Sequence, residues 1–197
     1  MRLGADALRK IFADDSYGWT AHMGERQLFA RDLRIGSYSI DVTLGNHLLV
    51  PKYLTDVVDP MSDRLQIEYQ RLDLPDLLPP GVPALGYVRE RFDCSQPVIV
   101  EGQSRHFISQ IDGRSTVGRL FLLVHVTAGC SDFGFAGCYT LELVNLSPVP
   151  IRLHPGMRIA QVSFVPVVSP GQHVGAYDPD THVDRPVPPL LGRHRFA

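Results

Sequence analysis

With 197 residues and a formal net charge of −2, the chain has the size of one domain and lacks the basic excess that nucleic-acid binding needs. Sixteen prolines and seventeen glycines favour turns and short strands over long helices. Cys94, Cys130 and Cys138 make an odd number that excludes a disulfide framework, and no apolar run reaches membrane-spanning length, so a soluble cytoplasmic protein without nucleic-acid or membrane partners is expected.

Ala5 to Phe12 has the spacing of one short amphipathic helix, with Leu8, Ile11 and Phe12 on its inner face. Tyr38, Ile40, Val42 and Leu44 alternate with Ser39, Asp41 and Thr43, which predicts a strand with one wet face, stopped by Gly45-Asn46. Between Pro51 and Asp76 no period emerges and no element is assigned. Beyond the Pro79-Pro80-Gly81 turn, strands are expected at Leu85 to Phe92, Pro97 to Val100, His106 to Ile111 and Leu122 to Val126. Further strands are expected at Cys138 to Asn145, Ile151 to Leu153 and Arg158 to Val165, with Pro148, Pro150 and Pro155-Gly156 between them. This succession predicts an all-β domain, a sandwich or jelly roll, over residues 1–177. Residues 178–197, with Pro179, Pro186, Pro188 and Pro189, read as an extended carboxy-terminal arm, of the kind that closes over a site.

Gly113-Arg114-Ser115-Thr116 leads into a short helical stretch ending near Leu120. The unpaired N–H groups and positive dipole end of a helix start attract phosphate, and Arg114 and Thr116 add a guanidinium and a hydroxyl. Ser115 and Arg119, four apart, project from one side of a helical turn. On these residues alone, a capping Ser115 and a solvated Arg119 are the more ordinary explanation. In Cys138 to Asn145, the period of a strand puts Tyr139, Leu141 and Leu143 on a core face. Cys138, Thr140, Glu142 and Val144 fall on a small, mildly polar face that suits the floor of a pocket. A single strand glutamate commonly faces solvent; its neighbours in the motif set make Glu142 a candidate acid–base group.

Those neighbours are GRST followed by GR, HVTA, D-x-GF-x-G, TLEL and PGM-x-IAQ-x-SF, running without a gap from Asp112 to Phe164. SIDVTLGN at Ser39 to Asn46 and PPGVPALGYVRERF at Pro79 to Phe92 flank them more weakly. In this order of parts the chain resembles the dCTP deaminase branch of the dUTPase-like trimeric nucleotide enzymes. The resemblance implies a mainly β fold, a distorted jelly roll or dUTPase-like β-clip barrel with a few short helices. It also implies a homotrimer with active sites at subunit interfaces, and metal-independent deamination of dCTP to dUTP and ammonia in the supply of dUTP and dTTP.

By position, the resemblance makes Glu142 the general acid and base, with Ser115 and Arg119 assisting and the Ala128 carbonyl holding the attacking water. Arg114 and Thr116 fall on phosphate-contacting positions, and Asp132 on the position that meets the deoxyribose 3′-hydroxyl. Thr140 falls where the backbone reads the base, and Tyr177 lies near the nucleotide. Mg²⁺ is expected to arrive with the triphosphate, without protein ligands, and dTTP to act as a feedback inhibitor. Zinc deamination requires H-x-E and P-C-x-x-C; none of the eight histidines precedes x-Glu and no C-x-x-C occurs.

Three departures stand out. Thr43 occupies the arginine position of D-x-R-L-G, and Phe133 replaces the proline or alanine of the D-P-G-F turn. The tail reads YDPDTHVDRPVPPLLGRHRF where K-Y-x-x-Q is expected, leaving Arg185, Arg193 and Arg195 as unaligned positive charge. The related alternatives are a bifunctional enzyme forming dUMP and pyrophosphate, a plain dUTPase, a catalytically inactive nucleotide-binding trimer, and a deaminase of a modified cytosine nucleotide.

Overall fold

The first helix, Ala5–Ile11, buries Leu8 and Ile11, and Phe12 is buried just past its end, as the spacing predicts. In this computed structural model, which describes residues 2–168, the Phe12 ring packs against Trp19, Phe92 and Phe164 at centroid separations of 6.1, 6.2 and 6.4 Å. The remaining regular structure is mainly short antiparallel strands in four sheets. Tyr177 and the predicted arm lie outside the described residues.

One five-stranded sheet runs in the order Val98–Val100, Gln103–Gly113, Arg158–Val167, Ile40–Thr43 and Arg34–Ile35. A second runs Leu122–Val124, Thr140–Asn145, Pro83–Tyr87, His47–Tyr53 and Ile67–Asp73. A four-stranded sheet joins Ala136–Gly137, Arg91–Asp93, Thr20–Met23 and Arg26–Leu28, and a two-stranded ribbon pairs Asp76–Leu78 with Ile151–Leu153. One buried cluster takes Ile40, Val42, Ile111 and Val162 from the first sheet and Leu48, Ala84, Leu141 and Leu143 from the second. The two large sheets therefore share a core, as expected when each has one apolar face to cover.

Two expectations need correction. Leu85 to Phe92 is not one strand: Pro83–Tyr87 pairs with Thr140–Asn145, and Arg91–Asp93 leaves to join the four-stranded sheet. Between them the chain turns a corner pinned at both sides, the Val88 N–H donating to the Tyr139 carbonyl at 2.8 Å and the Arg89 N–H to the Thr43 carbonyl at 2.9 Å. The unassigned stretch after Pro51 contains half of a long hairpin, His47–Tyr53 with Ile67–Asp73. Its connecting loop is shaped by the buried Gln66, whose side chain accepts from the Asp59 N–H and donates to the Asp59 carbonyl, both at 2.7 Å. The hairpin Thr20–Met23 with Arg26–Leu28, turning at Gly24, was also not expected from the pattern.

The predicted stop at Gly45-Asn46 is a packing requirement. The Tyr87 ring lies over Gly45 so closely that an added Cβ would sit 2.0 Å from Cε1, and the phenol donates to Asn46 Oδ1 at 2.9 Å. Gly45→Ala should lower unfolding free energy by about 3 kcal/mol through overpacking, whereas Gly118→Ala, with nothing within 4 Å of its Cβ position, should stay within about 1 kcal/mol of the parent. Urea denaturation of the two variants checks this.

Candidate active site

Along Thr140–Asn145 half-buried and buried residues alternate, so Thr140, Glu142 and Val144 leave the core face as predicted. Cys138 does not belong to that polar face; it is fully buried where the chain passes from Gly137, paired with Phe92 in the four-stranded sheet, to the strand start at Thr140. Glu142 is opposite Leu85 on one side, and its carbonyl accepts from the His125 N–H at 2.8 Å on the other.

The neighbouring strand was expected to continue to Val126 but ends at Val124, because His125 takes a φ of 64°. A side chain rarely tolerates this left-handed region, and such strain persists where the surroundings over-determine it. The reversal lays the imidazole across the acid. His125 Nδ1 is 3.2 Å from Glu142 Oε2, and the Val126 N–H donates to that same oxygen at 3.2 Å. The other ring nitrogen, Nε2, lies 2.6 Å from the Ala128 carbonyl oxygen, which can only accept, so Nε2 carries a proton. Nδ1 lies beside the carboxylate but off the line of a hydrogen bond. With 9% of the His125 side chain exposed and 39% of Glu142, the ring is the covered partner and the acid the open one.

The loop that follows is clamped to the first sheet. The Ile111 N–H donates to the Gly129 carbonyl at 2.7 Å, and a Cβ on Gly129 would come within 3.0 Å of the Ile111 carbonyl oxygen. Two residues along the same strand, the Cβ position of Gly113 is 3.5 Å from Val124, whose strand partner is Leu143. The Gly113 turn, Ala128 and Glu142 thus occupy one neighbourhood, built where the two large sheets meet.

The second helix, Ser115–Gly118, is a single turn, and its N-cap is Arg114 rather than Ser115. The capping explanation for Ser115 therefore fails. Ser115, Thr116 and Arg119 are exposed, and among the described residues their side chains make no hydrogen bond or ion pair; Arg119 is not within 4.0 Å of Glu142. Arg114 instead turns to the first sheet, its Nε 3.1 Å from Asp41 Oδ1.

Asp132 stands on an exposed turn closed by Gly134 at a φ of 83°. A buried hydroxyl chain fixes that turn, with Tyr139 donating to Ser109 and the Ser109 and Ser131 hydroxyls 2.5 Å apart. Burial pushes the Tyr139 phenol far above its ordinary pKa, so it stays a donor. Phe133, the departure from the D-P-G-F turn, meets His106 edge-on at 4.9 Å. Among the described residues Asp132 makes no hydrogen bond or ion pair with Glu142 or His125. Thr140 is half-buried at the strand start, opposite Tyr87. Among the described residues no group of three or more His, Cys, Asp or Glu side chains is placed to hold a metal ion, and no helix is long and apolar enough to cross a membrane.

The curled antiparallel sheets are those of a dUTPase-like domain. A solved structure of 2′-deoxycytidine 5′-triphosphate deaminase from Agrobacterium tumefaciens is similar in fold, with a TM-score of 0.56 at 19% identity over 83% of this chain; the chain spans 47% of that longer protein. Residues 20–167 match the family model described as dCTP deaminase-like. A Dictyoglomus turgidum protein named dCTP deaminase, dUMP-forming, is 37% identical over 139 residues, covering 68% of this chain and 67% of the relative. A Halobacterium salinarum protein of the same name is 35% identical over 156 residues, with 71% and 70% covered. A Natronomonas pharaonis protein named dCTP deaminase is 34% identical over 147 residues, with 72% and 71% covered. The chain belongs to the dCTP deaminase-like family.

His125 is the site residue that sequence reasoning passed over. It heads the HVTA motif, but nothing in the residue types announces a left-handed backbone there. His125→Ala should release both Glu142 and the Val126 amide. Hydrogen exchange at Val126 is expected to quicken about tenfold, equivalent to about 1.4 kcal/mol of lost local protection.

Proposed function

We propose that the chain catalyses the hydrolytic deamination of dCTP to dUTP and ammonia, with Glu142 as general acid and base. The observation that carries this reading is the accessible Glu142 carboxylate, bonded by the Val126 amide, with one imidazole standing between it and the Ala128 carbonyl. A carbonyl oxygen has two lone pairs; His125 uses one, and the second is open to a water that the Ser115 hydroxyl also contacts. Glu142 takes a proton from that water as the hydroxide adds to the cytosine carbon bearing the amine, and passes it to the adjacent ring nitrogen. It then carries the proton of the new hydroxyl to the amine, which leaves as ammonia and closes the uracil carbonyl. Arg119, brought round by substrate, stabilises the charge of the intermediate.

Arg114 and Thr116 meet the phosphates, the Thr140 backbone reads the base, and Mg²⁺ travels with the triphosphate as part of the substrate. Asp132 meets the 3′-hydroxyl of a nucleotide bound by a neighbouring copy. A site shared between copies is consistent with the homotrimer that the family resemblance implies, acting in the cytoplasm. An exposed apolar group supports it: Leu120 at 55%, Phe121 at 64% and Leu146 at 61% cluster where the Leu146 N–H donates to the Phe121 carbonyl. Contiguous exposed apolar surface of this kind marks an interface. Phe121→Glu should give monomers in sedimentation velocity, with ammonia release lost along with the trimer. dTTP, sharing the sugar and triphosphate, competes at the same site.

The names of two of these relatives favour a second reading, in which dCTP is also cleaved to dUMP and pyrophosphate. Incubation with dCTP, dCMP, CTP and dUTP, scoring ammonia and pyrophosphate separately, separates the two. Glu142→Gln should cut ammonia release by about 10²–10⁴-fold while dCTP binding, measured by calorimetry, stays within about threefold. Near-parental turnover in that variant would remove Glu142 from the chemistry.

A further inference from the structure

Asp132 is exposed, and among the described residues its carboxylate makes no hydrogen bond or ion pair. The backbone beneath it is fixed on both sides by one buried residue, Tyr139. Before the turn, residues 129–131 lie antiparallel along the strand Gln103–Gly113, the Ile111 N–H donating to the Gly129 carbonyl at 2.7 Å and the Ser131 N–H to the Ser109 carbonyl at 2.9 Å. Side chains join the same two serines again: the Ser109 N–H donates to Ser131 Oγ at 3.2 Å, and Ser131 Oγ lies 3.2 Å from the Ser109 carbonyl oxygen. With the Tyr139 phenol donating to Ser109 Oγ, the three hydroxyls can donate in one direction, from Tyr139 to Ser109, from Ser109 to Ser131, and from Ser131 to the Ser109 carbonyl. Beyond the turn, the Phe135 N–H donates to the Asp132 carbonyl at 3.3 Å, and the Phe135 ring stacks on the Tyr139 ring with centroids 4.7 Å apart and planes 27° from parallel.

Tyr139 thus grips the residue before Asp132 through its hydroxyl and the residue that closes the turn through its ring. Its own position is secure: it is buried, its ring also packs on Phe92 at 6.3 Å, and its carbonyl accepts from the Val88 N–H at 2.8 Å. Phe133, in the middle of the turn, adds its edge-on contact with His106. A fully satisfied buried polar chain rigidifies what it supports. All of these contacts order the backbone of the turn, and none of them occupies the acid. A carboxylate offers acceptors only, so its ligand must bring an O–H or N–H donor. Held in place beforehand, the acid meets that donor without the ordering cost that a loose surface aspartate would carry.

We infer that Tyr139 is a positioning residue for sugar recognition, holding Asp132 through Ser131 and Phe135 so that nucleotides with a free 3′-hydroxyl are selected. The inference rests on the dCTP reading above, in which Asp132 meets that hydroxyl, but its test does not require turnover. Calorimetry compares dCTP with 2′,3′-dideoxycytidine triphosphate on the full chain, on Tyr139→Phe, on Ser131→Ala and on Asp132→Ala. Phenylalanine keeps the ring stacked on Phe135 and removes only the hydroxyl, while Ser131→Ala breaks the same chain at its other end. The parent should prefer dCTP by about tenfold or more, the size of a hydrogen bond to a charged acceptor. Tyr139→Phe and Ser131→Ala should each cut that preference to about threefold, with affinity for the dideoxy nucleotide unchanged. In turnover the loss should appear as a rise in KM for dCTP with kcat kept, because the sugar hydroxyl is remote from the reacting carbon. Parental preference retained in Tyr139→Phe, or in Ser131→Ala should Tyr139→Phe not fold, overturns the inference; if Asp132→Ala has lost the preference, the sugar reading of Asp132 still stands. Equal weakening of both nucleotides in the hydroxyl variants marks a packing defect and overturns it too. A parent that binds the two nucleotides alike, or an Asp132→Ala variant that keeps the preference, removes the sugar reading and the inference together.

Discussion

The placement of Glu142 depends on the antiparallel ladder either side of it and on one residue that leaves that ladder. Leu85 and the His125 N–H fix the backbone of the acid, and the left-handed turn at His125 then lays a ring over its carboxylate. A long acid side chain on a strand face would otherwise sample several rotamers in water. Here one oxygen is held by an amide and approached by an imidazole nitrogen, while the other is left unbonded among the described residues. The strain of a side chain at positive φ is offset by the contacts it enables. That is the exchange by which a sheet turns a solvent-facing acid into a positioned one.

Charge is organised in a similar way in the first sheet. Asp41 is largely covered and serves two arginines that are remote from each other in sequence, one capping the second helix and one on the strand Arg158–Val167. The pair geometry leaves most guanidinium donors uncommitted. Glu90 behaves differently. Burial pushes its pKa up, and Thr43 answers both oxygens with its amide and hydroxyl at 2.8 Å, at the position where the family motif has arginine. The threonine thus satisfies both oxygens of the acid by hydrogen bonding, with the charge of Arg89 close by.

What the sequence disclosed follows from which features are local. The first helix, the ribbon strand Ile151–Leu153 and the core face of Thr140–Asn145 were legible because period and burial agree over a few residues. Motif order grouped Glu142, Ser115, Arg119 and Ala128 as candidates; the structure brings their segments together, while the Arg119 side chain stays apart from the acid. The hairpin Ile67–Asp73 was not legible, since an edge strand exposes most of its side chains and blurs the alternation. Leu85 to Phe92 misled for the opposite reason: Val88 stays buried through the corner, so the apolar pattern continues while the chain changes sheet. The Asp41–Arg114 brace and the backbone reversal at His125 are tertiary facts with no counterpart in residue type.

That corner also governs how disturbances spread. Strand Pro83–Tyr87 is stitched to Glu142 and strand Arg91–Asp93 to the sheet beneath the aromatic cluster, with three residues between them. A loosening of the Phe12–Trp19–Phe92 stack would pull on the corner, and the corner would pull on the register that aims the acid. The aromatic cluster, through Phe92, is thus tied across three residues to the strand that pairs with Glu142.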